Sequence, residues 1–165
     1  MKLIIHNVRS CHNVGSLFRS ADAFGIEEII LTGFTPYPKL KSDTRLPYVA
    51  ERAHRQIAKT ALGAEETMKF RIGPLKTILQ GLRDADWDVY ALEQSKVSTK
   101  LKAFSPSKPL AIAVGAERHG FTSEELALFD GAIEIPMKGS KESLNVSVAG
   151  AVAMYELSNR STTEH

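Results

Sequence analysis

Cysteine is almost absent from this sequence: Cys11 is the only one. Its isolation excludes an internal disulfide and any zinc or iron–sulfur site built from several thiolates. Long apolar runs are missing as well. Leu3, Ile4 and Ile5 are followed at once by His6, Asn7 and Arg9, which leaves no apolar region for a signal peptide. No stretch approaches the roughly 20 apolar residues that a membrane span needs. A cytoplasmic protein without membrane contact is the simplest expectation. The five histidines, His6, His12, His54, His119 and His165, lack coordination spacing, so metal-independent chemistry is expected. Cys11 itself reads as a small buried hydrophobe.

What is there is enough for one domain. The chain has 165 residues, 43% of them hydrophobic, which suffices for a real core. Short Ile- and Val-rich runs alternate with longer amphipathic stretches, the pattern of an α/β domain with helices on both faces of a sheet. Five strands are expected, at 2–6, 28–32, 88–92, 110–114 and 132–135. Their nearly continuous apolar character predicts a mostly parallel sheet buried on both faces. Helices are expected at 14–24, 47–61, 75–85, 123–129 and 146–159. The fourth begins best defined, because Thr122 and Glu125 form a capping-box pair. Residues 33–47 and 95–109 read as surface loops, and no repeat or linker interrupts the chain. The expectation is a single domain over residues 1–160 and a polar tail over 161–165. With a strand starting at Lys2, no further RNA-binding domain is expected before it.

The net charge is only +2, but its distribution is uneven. Between residues 36 and 76 nine basic residues stand against four acidic ones. Lys39, Lys41, Arg45, Arg52, Arg55 and Lys59 make this region a candidate surface for a polyanion such as RNA, since each neutralised phosphate releases counterions. An ordinary solvated face would read the same way.

Three segments carry chemistry. The first, Asn13-Val-Gly15-Ser-Leu-Phe-Arg19-Ser-Ala21, follows the first strand. Asn13 could simply cap a helix, and Arg19 could be a surface cation. Alternatively, both could stand over one strand end, where an arginine fork suits a phosphate. The second, Gly115-Ala-Glu117-Arg-His-Gly120-Phe121, has two glycines five apart after a strand, but Phe121 stands where a phosphate loop needs lysine. That argues against a nucleotide triphosphatase, and no Gly-x-Gly-x-x-Gly supports a dinucleotide site. What remains is a tight turn at the carboxyl end of a strand, where α/β sheets bind ligands. The third runs Ile135-Pro-Met137-Lys-Gly139-Ser-Lys-Glu-Ser143-Leu144-Asn145-Val-Ser147-Val-Ala149. Ser143 and Asn145 are good helix caps, and a capped first turn also attracts anions.

Together the three segments resemble, in order, the motifs of the SpoU/TrmH family of SPOUT RNA 2'-O-ribose methyltransferases, and the resemblance spans positions 2 to about 158. It implies an α/β domain with a deep C-terminal trefoil knot, a feature ordinary topology rules would not propose. It also implies a homodimer that binds S-adenosylmethionine near Leu92, Gly115, Ile135, Met137 and Leu144. Arg19 would be central to catalysis, with Asn13, Glu117, Ser143 and Asn145 shaping the site. A guanidinium stays protonated at ordinary pH, so the expected role of Arg19 is to grip an RNA phosphate, not to take a proton. The basic stretch and the following Thr60–Glu65 look more like the tRNA-modifying TrmH side than the minimal wobble-position enzymes. Transfer RNA is therefore favoured over ribosomal RNA. A catalytically silent RNA-binding relative, or an enzyme methylating a base or a protein, are the competing expectations.

Overall fold

In the computed structural model, which describes residues 1–160, all seven strands are parallel. The strands are β1 (Lys2–His6), β2 (Glu28–Thr32), β3 (Phe70–Ile72), β4 (Asp88–Leu92), β5 (Thr99–Lys100), β6 (Leu110–Val114) and β7 (Gly131–Glu134), in the order β3-β2-β1-β6-β4-β7-β5. The helices are α1 (Cys11–Ala23), α2 (Pro47–Ala61), α3 (Ala64–Thr67), α4 (Leu75–Asp84), α5 (Ser123–Leu126) and α6 (Val146–Arg160). Successive strand residues face opposite sides. Leu3, Ile5, Ile29, Leu31, Ile112 and Val114 therefore pack under α1, α2 and α6, together with Leu17, Phe18, Ile57, Ala153 and Met154. Ile4, Ile30, Val89, Ala91, Ala111 and Ala113 pack on the other face against Ile78, Leu79 and Leu82 of α4. Both faces are covered, which is why the central strands carry no polar alternation. Among the described residues no helix is long and apolar enough to cross a membrane.

Four of the five expected strands have the expected bounds, and β7 lies one residue earlier than expected. The edge strands β3 and β5 were not foreseen. They are two or three residues long and mostly exposed, so they leave no apolar pattern to read. Residues 95–109 are more than a surface loop: they hold β5 and a 3₁₀ turn, and they bury Leu101 and Phe104. Helix α1 starts at Cys11, three residues before the expected position, because Ser10 is its cap and accepts from the Asn13 backbone N–H at 3.2 Å. Asn13 is thus not a cap. Helix α5 is a single turn ending at Leu126, although its capping box forms as expected. The tail 161–165 lies outside the described residues.

One motif glycine has a packing reason. A Cβ at Gly15 would stand 2.2 Å from both the Ile57 carbonyl oxygen and the Thr60 hydroxyl, so glycine is what lets α1 and α2 touch. Gly15→Ala should force the two helices apart and cost about 1–3 kcal/mol of stability, read by urea unfolding.

Candidate active site

The carboxyl ends of β4, β6 and β7 open onto a cleft of about 280 Å³. Leu92, Gly115, Ile135, Met137 and Leu144, the five residues expected at the cofactor, all line it, with Glu117 and Ser143. The strands place them there: Leu92 ends β4, Gly115 follows β6, and Ile135 follows β7. Residues Glu93, Gln94, Arg118 and His119 also line the cleft and were not anticipated. Only their adjacency to strand ends could have pointed to them. Glu93 accepts from the Phe121 N–H at 3.2 Å and so ties the turn after β6 to the end of β4. Gly120 has φ +58°, and a Cβ there would fall 1.9 Å from the Glu93 carboxylate. The second glycine of the motif is therefore needed for conformation and for space.

Three distant segments meet at the rim. The Asn13 side-chain amide donates to Glu117 Oε1 at 3.3 Å, and Asn13 Oδ1 accepts from Asn145 Nδ2 at 3.2 Å. Asn145 Oδ1 in turn accepts from the Ser147 backbone N–H at 2.9 Å and its hydroxyl at 2.7 Å, capping α6. Both ends of this chain have only one possible polarity. An ionised carboxylate can only accept and a backbone N–H can only donate, so both amide orientations follow. Glu117 also accepts from the backbone N–H groups of Arg9 (3.2 Å) and Ser10 (3.0 Å), just ahead of α1. Partial burial raises the Glu117 pKa. The Ser10 and Arg9 amides and Asn13 outweigh it and hold the carboxyl below its ordinary range.

Arg19 stands elsewhere. It is exposed and lines a second cleft between α1 and α2 with Ser16, Ser20, Lys59 and Thr60. Six residues along α1 amount to about 9 Å of rise, so Arg19 and Asn13 do not share a strand end within one chain. Among the described residues no protein group pairs with its guanidinium. Of the basic candidates, Arg52, Arg55 and Lys59 project from one side of α2 into solvent. Lys41 is exposed, and Lys39 pairs with Glu51 at 3.2 Å. Arg45 is engaged internally: it bonds Asp43 and the Tyr37 carbonyl oxygen and stacks 3.5 Å from the Tyr37 ring centroid. Its structural task is to close the 37–45 loop, which the sequence pattern of positive charge could not reveal. Cys11 is half-buried, and burial pushes its thiol pKa up, away from the reactive thiolate.

Among the described residues one group brings metal-ligating atoms together: His54, Glu65 and Glu66, outside the cleft. His54 Nδ1 accepts from the Lys39 N–H, which places the ring proton on Nε2, 3.2 Å from Glu66. In that arrangement the ring nitrogens of His54 face Lys39 and Glu66, so the imidazole has no free lone pair, and the group reads as a hydrogen-bonded pair beside α2.

A parallel sheet with one mixed polar and apolar cleft over its strand ends defines a ligand-binding α/β domain. Residues 1–155 match the model of the SpoU rRNA Methylase family, and the chain belongs to that family. It is 31% identical over 160 residues to the tRNA (guanosine(18)-2'-O)-methyltransferase of Thermus thermophilus, covering 94% of this chain and 73% of that protein. Its fold is shared with the SpoU methyltransferase AviRb of Streptomyces viridochromogenes, solved in complex with AdoMet. That match has a TM-score of 0.80 at 20% identity, over 100% of this chain and 59% of AviRb. A structure described as giving insight into 2-OH methylation of C/U34 on tRNA matches with a TM-score of 0.75 at 24% identity, over 99% and 97% of the two chains.

Two outcomes test the rim. Asn13→Asp sets a second carboxylate against Glu117 and should be less stable than Asn13→Ala by roughly 1 kcal/mol at pH 7. That gap should close near pH 3.5 in urea titrations at the two pH values. Glu117 has a folded-state pKa below its unfolded value, so its contribution is present above the unfolded pKa, about 4.3, and is lost as pH falls through the lower folded value. Glu117→Gln should therefore flatten part of the acid limb of a Tm-against-pH curve below pH ~4. Glu125, depressed in the same direction, supplies another part.

Proposed function

We propose that this protein transfers a methyl group from S-adenosylmethionine to a ribose 2'-hydroxyl of RNA, with tRNA as the substrate. The observation that carries the reading is the amide chain joining Glu117, Asn13 and Asn145 at the mouth of the cleft. Leu92, Val114, Ile135 and Leu144 give apolar walls for a flat purine, while the turns at 115–120 and 135–144 offer polar backbone groups for the rest of the cofactor. The bound cofactor supplies an electrophilic methyl on a sulfonium. The residues of the chain supply position. Ser143 and Asn145 stand at the rim where an incoming hydroxyl would meet hydrogen-bond partners. Glu117, held as an anion by the Arg9 and Ser10 amides and the Asn13 side chain, is a weak base at neutral pH and serves to orient Asn13. Alignment of nucleophile and methyl can supply several kcal/mol without a strong base, so the proton leaves late.

The unpaired Arg19 and Lys59 line one cleft, a fit for an RNA phosphate, and Arg52 and Arg55 extend the basic surface along α2. The reading includes a homodimer. Helix α6 exposes Val148, Val152 and Tyr155 along one stripe beside its buried Ala153, Met154 and Leu157, and a second copy would cover that stripe. It also includes the trefoil knot. In support, β7 lies between β4 and β5 in the sheet, and Gln94 Nε2 donates to the Glu142 carbonyl oxygen at 2.8 Å, where residues 135–145 pass the 93–109 segment. The reading includes a cytoplasmic location, in keeping with a tRNA substrate. The test is to incubate purified protein with labelled cofactor and tRNA or rRNA and to digest to nucleosides. A 2'-O-methylnucleoside from tRNA is expected; a methylated base or methylated protein would overturn the reading. Arg19→Lys should lower turnover about tenfold or more while cofactor affinity by calorimetry stays within about twofold, because the charge remains but the two-pronged fork is lost.

A further inference from the structure

Beside the cleft, and unused by the reading above, stands an exposed aromatic ring on a rigid support. Phe34 is 53% exposed, and the Arg9 guanidinium carbon lies 4.9 Å from its ring centroid. Among the described residues nothing takes the Arg9 guanidinium donors. The Phe34 loop is pinned at every step. Asn7, at φ +55°, accepts from the Phe34 N–H through its side-chain oxygen at 3.2 Å. Gly33, at φ +67°, passes so close that a Cβ would meet the same oxygen at 1.9 Å. Buried Thr35 donates to the Ile5 and Thr32 carbonyl oxygens and accepts from the Val8 N–H, stitching the loops after β1 and β2 together. The Arg9 backbone then bonds Glu117 at the cleft rim.

The protein contains another arginine–aromatic pair for comparison. Arg45 over Tyr37 is closed off, with its donors consumed by Asp43 and backbone carbonyls. Arg9 over Phe34 leaves both the fork and one side of the ring to solvent. A cation beside an open π-face is the combination that binds an unpaired nucleotide: the ring stacks the base and the fork meets the phosphate. We propose that Arg9 and Phe34 form a nucleotide subsite that stacks an unpaired RNA base next to the ribose to be methylated. This rests on the RNA methyltransferase reading for its location, but not for its test.

The direct probe is a short single-stranded RNA containing 2-aminopurine, whose fluorescence is quenched by stacking. Wild-type protein should quench it, Phe34→Ala should lose the quenching and weaken binding about tenfold, and Phe34→Trp should retain both within about twofold. Arg9→Ala should weaken binding and lower the salt slope by about 1. In methyl transfer to tRNA, Phe34→Ala should raise KM about tenfold and leave kcat and cofactor affinity near wild type. Unchanged quenching in Phe34→Ala, or equal losses in Phe34→Ala and Phe34→Trp with unchanged Tm, would overturn the subsite. Failure of wild-type protein to methylate any RNA while quenching persists would sink the catalytic reading and leave the subsite standing.

Discussion

The arrangement of the site depends on one carboxylate that can only accept hydrogen bonds. Glu117 draws in the Arg9 and Ser10 amides and the Asn13 side chain, so a residue from the loop after β6 anchors the entry to α1. Because Asn13 spends its N–H on Glu117, its oxygen is left to meet Asn145, which caps α6. A helix near the start of the chain and one at its end are thus held in register by a turn from the middle. Two amides and a carboxylate achieve this without a buried charge pair and its desolvation cost.

Positive charge separates into two kinds once the geometry is known. Arg45 and Lys39 have protein partners, whereas Arg52, Arg55 and Lys59 stand free along α2. A linear count weighs these equally. Only the free set retains donors that a polyanion could take without first breaking an internal contact. Arg9, outside the basic stretch altogether, belongs with the free set.

Much of the fold was legible because buried parallel strands leave a plain signature: β1, β2, β4 and β6 are short, apolar and bounded by polar turns. The edges were not legible, since β3 and β5 owe their extended form to a neighbour's backbone and not to their own side chains. The start of α1 was misplaced because Ser10 and Asn13 are both competent caps, and choosing between them required knowing that Glu117 claims the Asn13 side chain. The residues of the cleft lining were legible through the family resemblance, and the position of the cleft through the strand ends. The separation of Arg19 from Asn13 follows from helix rise alone once α1 is known to run unbroken from Cys11 to Ala23.

The placement of β6 governs how the chain can be built. Lys2 and Leu3 pair with Ala111 and Ile112, so one edge of β1 has no native partner until residues some hundred positions later have left the ribosome. A nascent chain that has already paired β1 with β2 would still present an apolar, hydrogen-bond-hungry strand edge. Insertion of β6 between β1 and β4 is then a late, long-range step, the sort that makes folding slow and rewards protection by a chaperone during synthesis.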